Sequence, residues 1–101
     1  MPYAIANTQT GIGRQAKIYN ENGHFSVQLH STVVYDEDRT NNKLTLNNGG
    51  WVTPTTTRYM NQALAYRGSS NRVAIRKGAM VLLCTKSECP FEGDKLVIEL
   101  I

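Results

Sequence analysis

Apolar and polar positions alternate across 25–30, with Phe25, Val27 and Leu29 on one face and Ser26, Gln28 and His30 on the other. A period of two describes a half-buried strand. The β-rich run Thr32, Val33, Val34 and Tyr35 continues it through 31–35, and 43–47 alternates again with Leu44 and Leu46 inward. Asp36-Glu37-Asp38 and Asn41-Asn42 bracket a predicted polar loop between them. Upstream, 17–19 predicts an opening strand before Asn20-Glu21-Asn22-Gly23, where the Asn-Gly pair signals a hairpin because both residues tolerate positive φ. The first fifteen residues are rich in Asn, Thr, Gln and Gly with weak periodicity, which predicts a loosely ordered arm or a short strand around 3–6.

The pattern changes at Asn47-Asn48-Gly49-Gly50-Trp51, where two glycines permit a path other residues resist. A helix over 54–67 follows. Thr53 can cap it, Pro54 at the first helical position has no N–H to waste, and Gly68 suits the left-handed position after its end. Tyr59, Met60, Ala63 and Leu64 form the apolar stripe, with Arg58, Asn61 and Gln62 mostly away from it. Segments 72–76 and 79–84 predict a hairpin around Lys77-Gly78, pairing Arg76 with Ala79, Ile75 with Met80 and Val73 with Leu82 so that the large apolar side chains share a face. A polar loop is expected over 85–94. The apolar run at 95–101 predicts a terminal strand, buried on both faces or paired at an interface. The order of elements implies one α+β domain over 1–101, a small antiparallel sheet of about five to six strands with one helix packed on it.

The 101 residues leave room for one modest core, and 41% hydrophobic with 19% charged residues is a globular composition. With no apolar run long enough to span a bilayer and no secretory leader pattern at the start, the expectation is a cytoplasmic protein with no membrane association. Cys84 and Cys89 then read as free thiols, with a local disulfide as the alternative. Charge is unevenly placed. Residues 39–86 carry eight basic side chains and no acid, while the remainder carries three basic and eight acidic, which hints at an acidic partner.

Within 43–64, KLTLNNGGWVTPTTTRYMNQAL resembles a family of short uncharacterised phage-encoded proteins, a domain of unknown function with the pattern L-x-L-x-x-G-G-W-x-T-x-T-T-x-x-x-M-N-x-x-L. The matching residues are Leu44, Leu46, Gly49, Gly50, Trp51, Thr53, Thr55, Thr56, Met60, Asn61 and Leu64. Val27 to Thr32 is similar to the strand ahead of that motif, and Ile75-Arg76-Lys77-Gly78 to its basic hairpin turn, so the resemblance covers roughly 25–83. It implies a phage or mobile-element origin, and a host cytoplasm as the place of action.

Two constellations carry the functional expectation. The helix start, with Thr53, Thr55 and Thr56, can hold a phosphate or carboxylate, and Trp51 beside it can stack on a base or anchor a protein. The opposing reading makes Trp51 a core plug and Thr53 only a cap. Arg58, Arg67, Arg72, Arg76 and Lys77, interleaved with Tyr59 and Tyr66, form a continuous patch if hairpin and helix share an edge; the opposing reading is an ordinary solvated surface. His24 and His30 share a parity on the polar side of one strand, but with Cys84 and Cys89 they match no common zinc spacing. No matched acid–base pair is evident, so catalysis, metal and cofactor are not expected. The leading expectation is a non-enzymatic protein that binds a host protein or ribonucleoprotein through Trp51, Arg58, Arg67, Arg72, Arg76 and Lys77, for example as an inhibitor of a CRISPR effector. A small nucleic-acid-binding module is the alternative, and the terminal strand offers an edge for a homodimer.

Overall fold

The computed structural model describes residues 3–4, 16–21, 23–84 and 87–99. Most of the expected arm, Asn22, Thr85, Lys86 and the last two residues lie outside the described residues. The protein is α+β, with one helix and two antiparallel sheets. The larger sheet holds six strands in the order β1 (Tyr3–Ala4), β2 (Ala16–Glu21), β3 (His24–Leu29), β4 (Thr32–Asp38), β5 (Lys43–Asn47) and β9 (Lys95–Glu99). The smaller sheet is β6 (Arg72–Arg76), β7 (Ala79–Leu83) and β8 (Glu88–Pro90). Between β5 and β6 runs the helix α1 (Pro54–Tyr66). One sheet was expected. Two form because pairing between distant strands is not written in local periodicity, and β6, β7 and β8 pair only among themselves.

Alternation builds the core as expected. Ile18, Phe25, Val27, Tyr35, Leu44 and Leu46 point inward from the larger sheet and meet Tyr59, Met60, Ala63 and Leu64 of α1. Val73, Met80 and Leu82 close the core from the smaller sheet, in the expected register of Val73 opposite Leu82 and Ile75 opposite Met80. The helix lies against β3 and β4 and alongside β6. The contact with β6 is specific. Asn61 sits half-buried, its Nδ2 donating to the Val73 carbonyl at 2.9 Å while its Oδ1 accepts from the Val73 N–H at 2.7 Å. The carboxamide thus pairs with the free edge of the small sheet as a neighbouring strand would.

Both ends of α1 follow from sequence. Thr53 is extended, at φ −134° and ψ 157°, and its Oγ1 accepts from the Thr56 N–H at 3.3 Å, with Pro54 in the first turn. At the other end the Gly68 N–H donates to the Ala65 carbonyl and the Ser69 N–H to the Leu64 carbonyl, with Gly68 at φ 78°. That pair of bonds is a Schellman closure, which needs a left-handed residue at the glycine position.

The structure corrects four expectations. Segment 31–35 does not continue β3. The chain reverses at His30-Ser31, with His30 at φ 56°, and β4 returns antiparallel with Leu29 opposite Thr32. Asp36-Glu37-Asp38 is strand, not loop. Its alternation turns Glu37 inward, where it is only 6% exposed. Within 85–94 lies β8, with Pro90 on an edge strand where a missing N–H is tolerated. The terminal strand β9 lies at the end of the larger sheet, with Leu96 and Ile98 against the core and Val97 exposed, so it is buried on one face only.

Glu37 is held by three groups. The Arg67 Nε and NH2 reach its two oxygens at 3.1 and 2.9 Å, and the Tyr35 hydroxyl donates to Oε1 at 3.1 Å. Burial, reinforced by the Glu37 carboxylate, pushes the Tyr35 phenol far above its usual range. A raised phenol contributes stability that is complete below the unfolded-state value and is lost as pH rises beyond it. Urea midpoints should therefore fall from about pH 9.5 upward, and fall less in Tyr35→Phe, which costs about 1 kcal/mol at neutral pH. Parallel midpoint curves for the two proteins between pH 8 and 11 would show that Tyr35 ionises as freely in the folded chain as in the unfolded one.

Candidate functional site

A cleft of about 540 Å³ opens where the β3–β4 turn faces the start of α1. Its volume falls within the range of small-ligand sites. One wall is His30, Ser31 and Thr32, the other is Thr53, Thr55 and Thr56, and Trp51 stands at the rim. Leu29, Val34 and Asn48 complete the lining.

The rim is set by a chain of amide contacts. Asn48 is buried, its Oδ1 accepting from the Gly50 N–H at 2.8 Å and its Nδ2 lying 3.4 Å from the Met80 sulfur. The Trp51 N–H donates to the Asn48 carbonyl at 2.8 Å, which closes a four-residue turn over Gly49 and Gly50. Both glycines have positive φ, 60° and 88°, the condition a type I′ turn sets for its two central residues. Gly49 also approaches β4 so closely that a Cβ there would sit 2.7 Å from the Thr32 Oγ1. The turn therefore delivers Trp51 outward. It is 67% exposed, and Val52 beside it is exposed as well. The core-plug reading of Trp51 is wrong. The cap reading of Thr53 is right, and its hydroxyl also lies 3.2 Å from that of Thr56.

Hydroxyl, imidazole and indole groups therefore face the cleft, with the positive end of the α1 dipole and no carboxylate, ammonium or guanidinium among the lining residues. Thr56 is buried and its N–H is spent on Thr53, whereas Thr55 is exposed. Of the expected anion-binding trio, Thr55 is the member left facing solvent. No hydrogen bond links His30 to a hydroxyl among the described residues.

The basic set is not one surface. Arg67 turns inward, ion-paired to Glu37 and 5.2 Å over the Phe25 ring. It packs between α1 and the larger sheet through that pair while staying in contact with solvent. Arg72 and Arg76 share the outer face of the small sheet, where Arg76 reaches Glu88 at 2.7 Å. Lys77 sits in the β6–β7 turn at φ 53°, and Arg58 lies 5.5 Å from the Tyr59 ring centre. The structure brings together Trp51, Thr53, Thr55 and Thr56, and leaves Arg58, Arg72, Arg76 and Lys77 exposed elsewhere.

His24, Ser26 and Asp36 also converge, on the outer face of the larger sheet. Asp36 Oδ1 accepts from the Ser26 hydroxyl at 2.7 Å and lies 3.2 Å from His24 Nδ1. The serine proton is spent on the carboxylate and not on the imidazole, so the trio is not ordered for nucleophilic attack. His24 and His30 are not neighbours on a strand face, since His30 occupies the turn. No group of three or more His, Cys, Asp or Glu side chains suited to a metal occurs among the described residues. None of their helices is long and apolar enough to cross a membrane.

His30, Ser31, Thr32 and Asn48 were missed as parts of this site. The available signal was the parity break at His30-Ser31 and the Asn-Asn-Gly-Gly run, both marks of tight turns. Comparison with protein-family models, with curated proteins and with solved structures returns no match.

The two glycines of the rim should respond differently to substitution. Gly50→Ala pays only for its left-handed backbone, about 1 kcal/mol. Gly49→Ala adds the clash with Thr32 and should cost about 2–3 kcal/mol by urea unfolding. Equal losses at both positions would mean that the turn does not rest on β4.

Proposed function

We propose that this protein acts by binding a macromolecule and not by catalysis, docking it against the Trp51 rim of the cleft. The observation that carries the reading is the exposed indole. Trp51 is the chain's only tryptophan, and it is held outward on a backbone turn fixed by a buried asparagine. Large rigid aromatics presented to solvent are what partner surfaces close upon, and tryptophan is enriched among residues that dominate binding energy. The hydroxyls behind it supply directional hydrogen bonds, and Val52 extends the apolar contact. The resemblance of 25–83 to phage-encoded proteins supports a host protein or ribonucleoprotein as the partner, in the host cytoplasm, with steric occlusion of a defence complex such as a CRISPR effector as its concrete form.

A nucleic-acid target is favoured by a separate observation. Arg58, Arg72 and Lys77 are exposed and form no ion pair with an acid among the described residues, which leaves them available to phosphates. The two readings differ in their response to salt. Binding led by phosphate contacts falls steeply as salt rises, and binding led by the indole does not.

The test is a tagged pull-down from host lysate, run with the wild-type chain, Trp51→Ala and Arg72→Ala/Lys77→Ala. Trp51→Ala should change folding stability by no more than about 0.5 kcal/mol. It should nevertheless weaken retention of a defined host complex by at least about tenfold, the effect of a hot-spot residue. If Trp51→Ala retains the complex while the basic double variant loses it in a salt-dependent way, the nucleic-acid reading replaces this one. If neither variant differs from wild type, docking at the rim is wrong.

A further inference from the structure

Cys84 follows directly after β7 and Cys89 lies within β8, and both side chains turn toward the core side of the small sheet. Register places them there: Leu82 pairs with Cys89, so Cys84, two residues beyond Leu82, shares that face. The Cys84 N–H donates to the Ser87 carbonyl at 2.8 Å, which draws the two chain segments together. The two sulfurs are in contact at 3.8 Å, both thiols are free, and both are half-buried. Burial, with the Cys89 sulfur next to it, pushes the Cys84 thiol above its ordinary range.

The geometry points to Cys84 and Cys89 as a reversible disulfide site, whose co-reactant is a small-molecule disulfide of the glutathione class. The exchange balances in two steps. One protein thiolate attacks a sulfur of the small disulfide, forming a mixed disulfide and releasing one small thiolate. The second protein thiolate then attacks the protein sulfur of that mixed disulfide, closing Cys84–Cys89 and releasing the second small thiolate. Two protein thiols are oxidised, one small disulfide is reduced to two thiols, and the protons pass to the released thiolates. Closing the bond from contact needs a movement of under about 2 Å.

The consequence falls on β8. It is a three-residue edge strand paired only to β7, and one of its residues, Pro90, has no N–H to give. A covalent link beside it ties the strand to β7. Because the folded chain already holds the sulfurs together, closure should be easier folded than unfolded, and the bond should stabilise the fold to the same extent by linkage.

The full-length chain is equilibrated with mixtures of glutathione and glutathione disulfide, in buffer and in 8 M urea, then trapped with acid and weighed. In buffer the expected product is an intramolecular disulfide about 2 Da lighter than the dithiol, with an effective thiol concentration at least about tenfold that in urea. The oxidised chain should melt about 10 °C above the reduced chain. Cys84→Ala and Cys89→Ala should each give only the mixed disulfide with glutathione and lose the redox-dependent change in Tm. An effective concentration in buffer no higher than in urea, or a Tm that falls on oxidation, overturns the assignment. Both readings use the wild-type chain, so they stand even if a cysteine variant folds poorly. They are also independent of whether Trp51 docks a partner.

Discussion

A carboxylate forced into the core by strand alternation sets the requirement that the rest of this fold meets. Glu37 lies between Asp36 and Asp38 on β4, and the same parity that leaves those two on the outer face turns Glu37 inward beside Tyr35. An ionised side chain in that position must be paired or be destabilising. Arg67, the residue that caps the C-terminus of α1, supplies the pair through a two-pronged contact, and a cation is also what that end of a helix favours. The guanidinium then covers the Phe25 ring, on which Tyr66 stacks at 5.5 Å. One ion pair thus fixes the far end of the helix to β3 and β4. Asn61 fixes its middle to β6.

With its last turn and middle fixed, α1 presents its first turn at the β3–β4 hairpin, and the cleft is the space left between them. The loop arriving from β5 must enter that helix start while passing close to Thr32, and only glycine meets both demands at position 49. Trp51 is exposed because of this path. It comes one residue after two left-handed glycines and two residues before the cap, so its side chain leaves the molecule before the helix turns its apolar stripe inward.

Much of this was legible locally. Thr53, Pro54 and Gly68 marked the ends of α1 because capping chemistry acts within a few residues, and the Lys77-Gly78 turn fixed the β6–β7 register for the same reason. What local pattern could not carry was partnership across the chain. Three consecutive acids read as a solvated loop until Arg67, thirty residues on, is placed against the middle one. The same contact pairs the charge of Arg67 with a carboxylate, so the run of positive charge in the sequence does not become one free positive face. Pro90 read as a loop residue because its tolerance depends on β8 being an edge, a property of the sheet and not of the segment. The Trp51 and threonine components of the site were visible as a motif. His30, Ser31 and Thr32 were not, because a run of β-favouring residues hid the reversal that brings them opposite.

The account turns on Arg67 being a tie to the buried Glu37 and not an unpaired surface cation, and a double-mutant cycle measures that directly. Urea unfolding of the wild type, Glu37→Gln, Arg67→Met and the double variant gives the coupling free energy between the two positions. A coupling of about 1 kcal/mol or more that survives in part in 0.5 M salt is the result predicted for a two-pronged pair with one buried partner. Additive losses with a coupling near zero would contradict it, and would leave Arg67 as unpaired in effect as the other arginines.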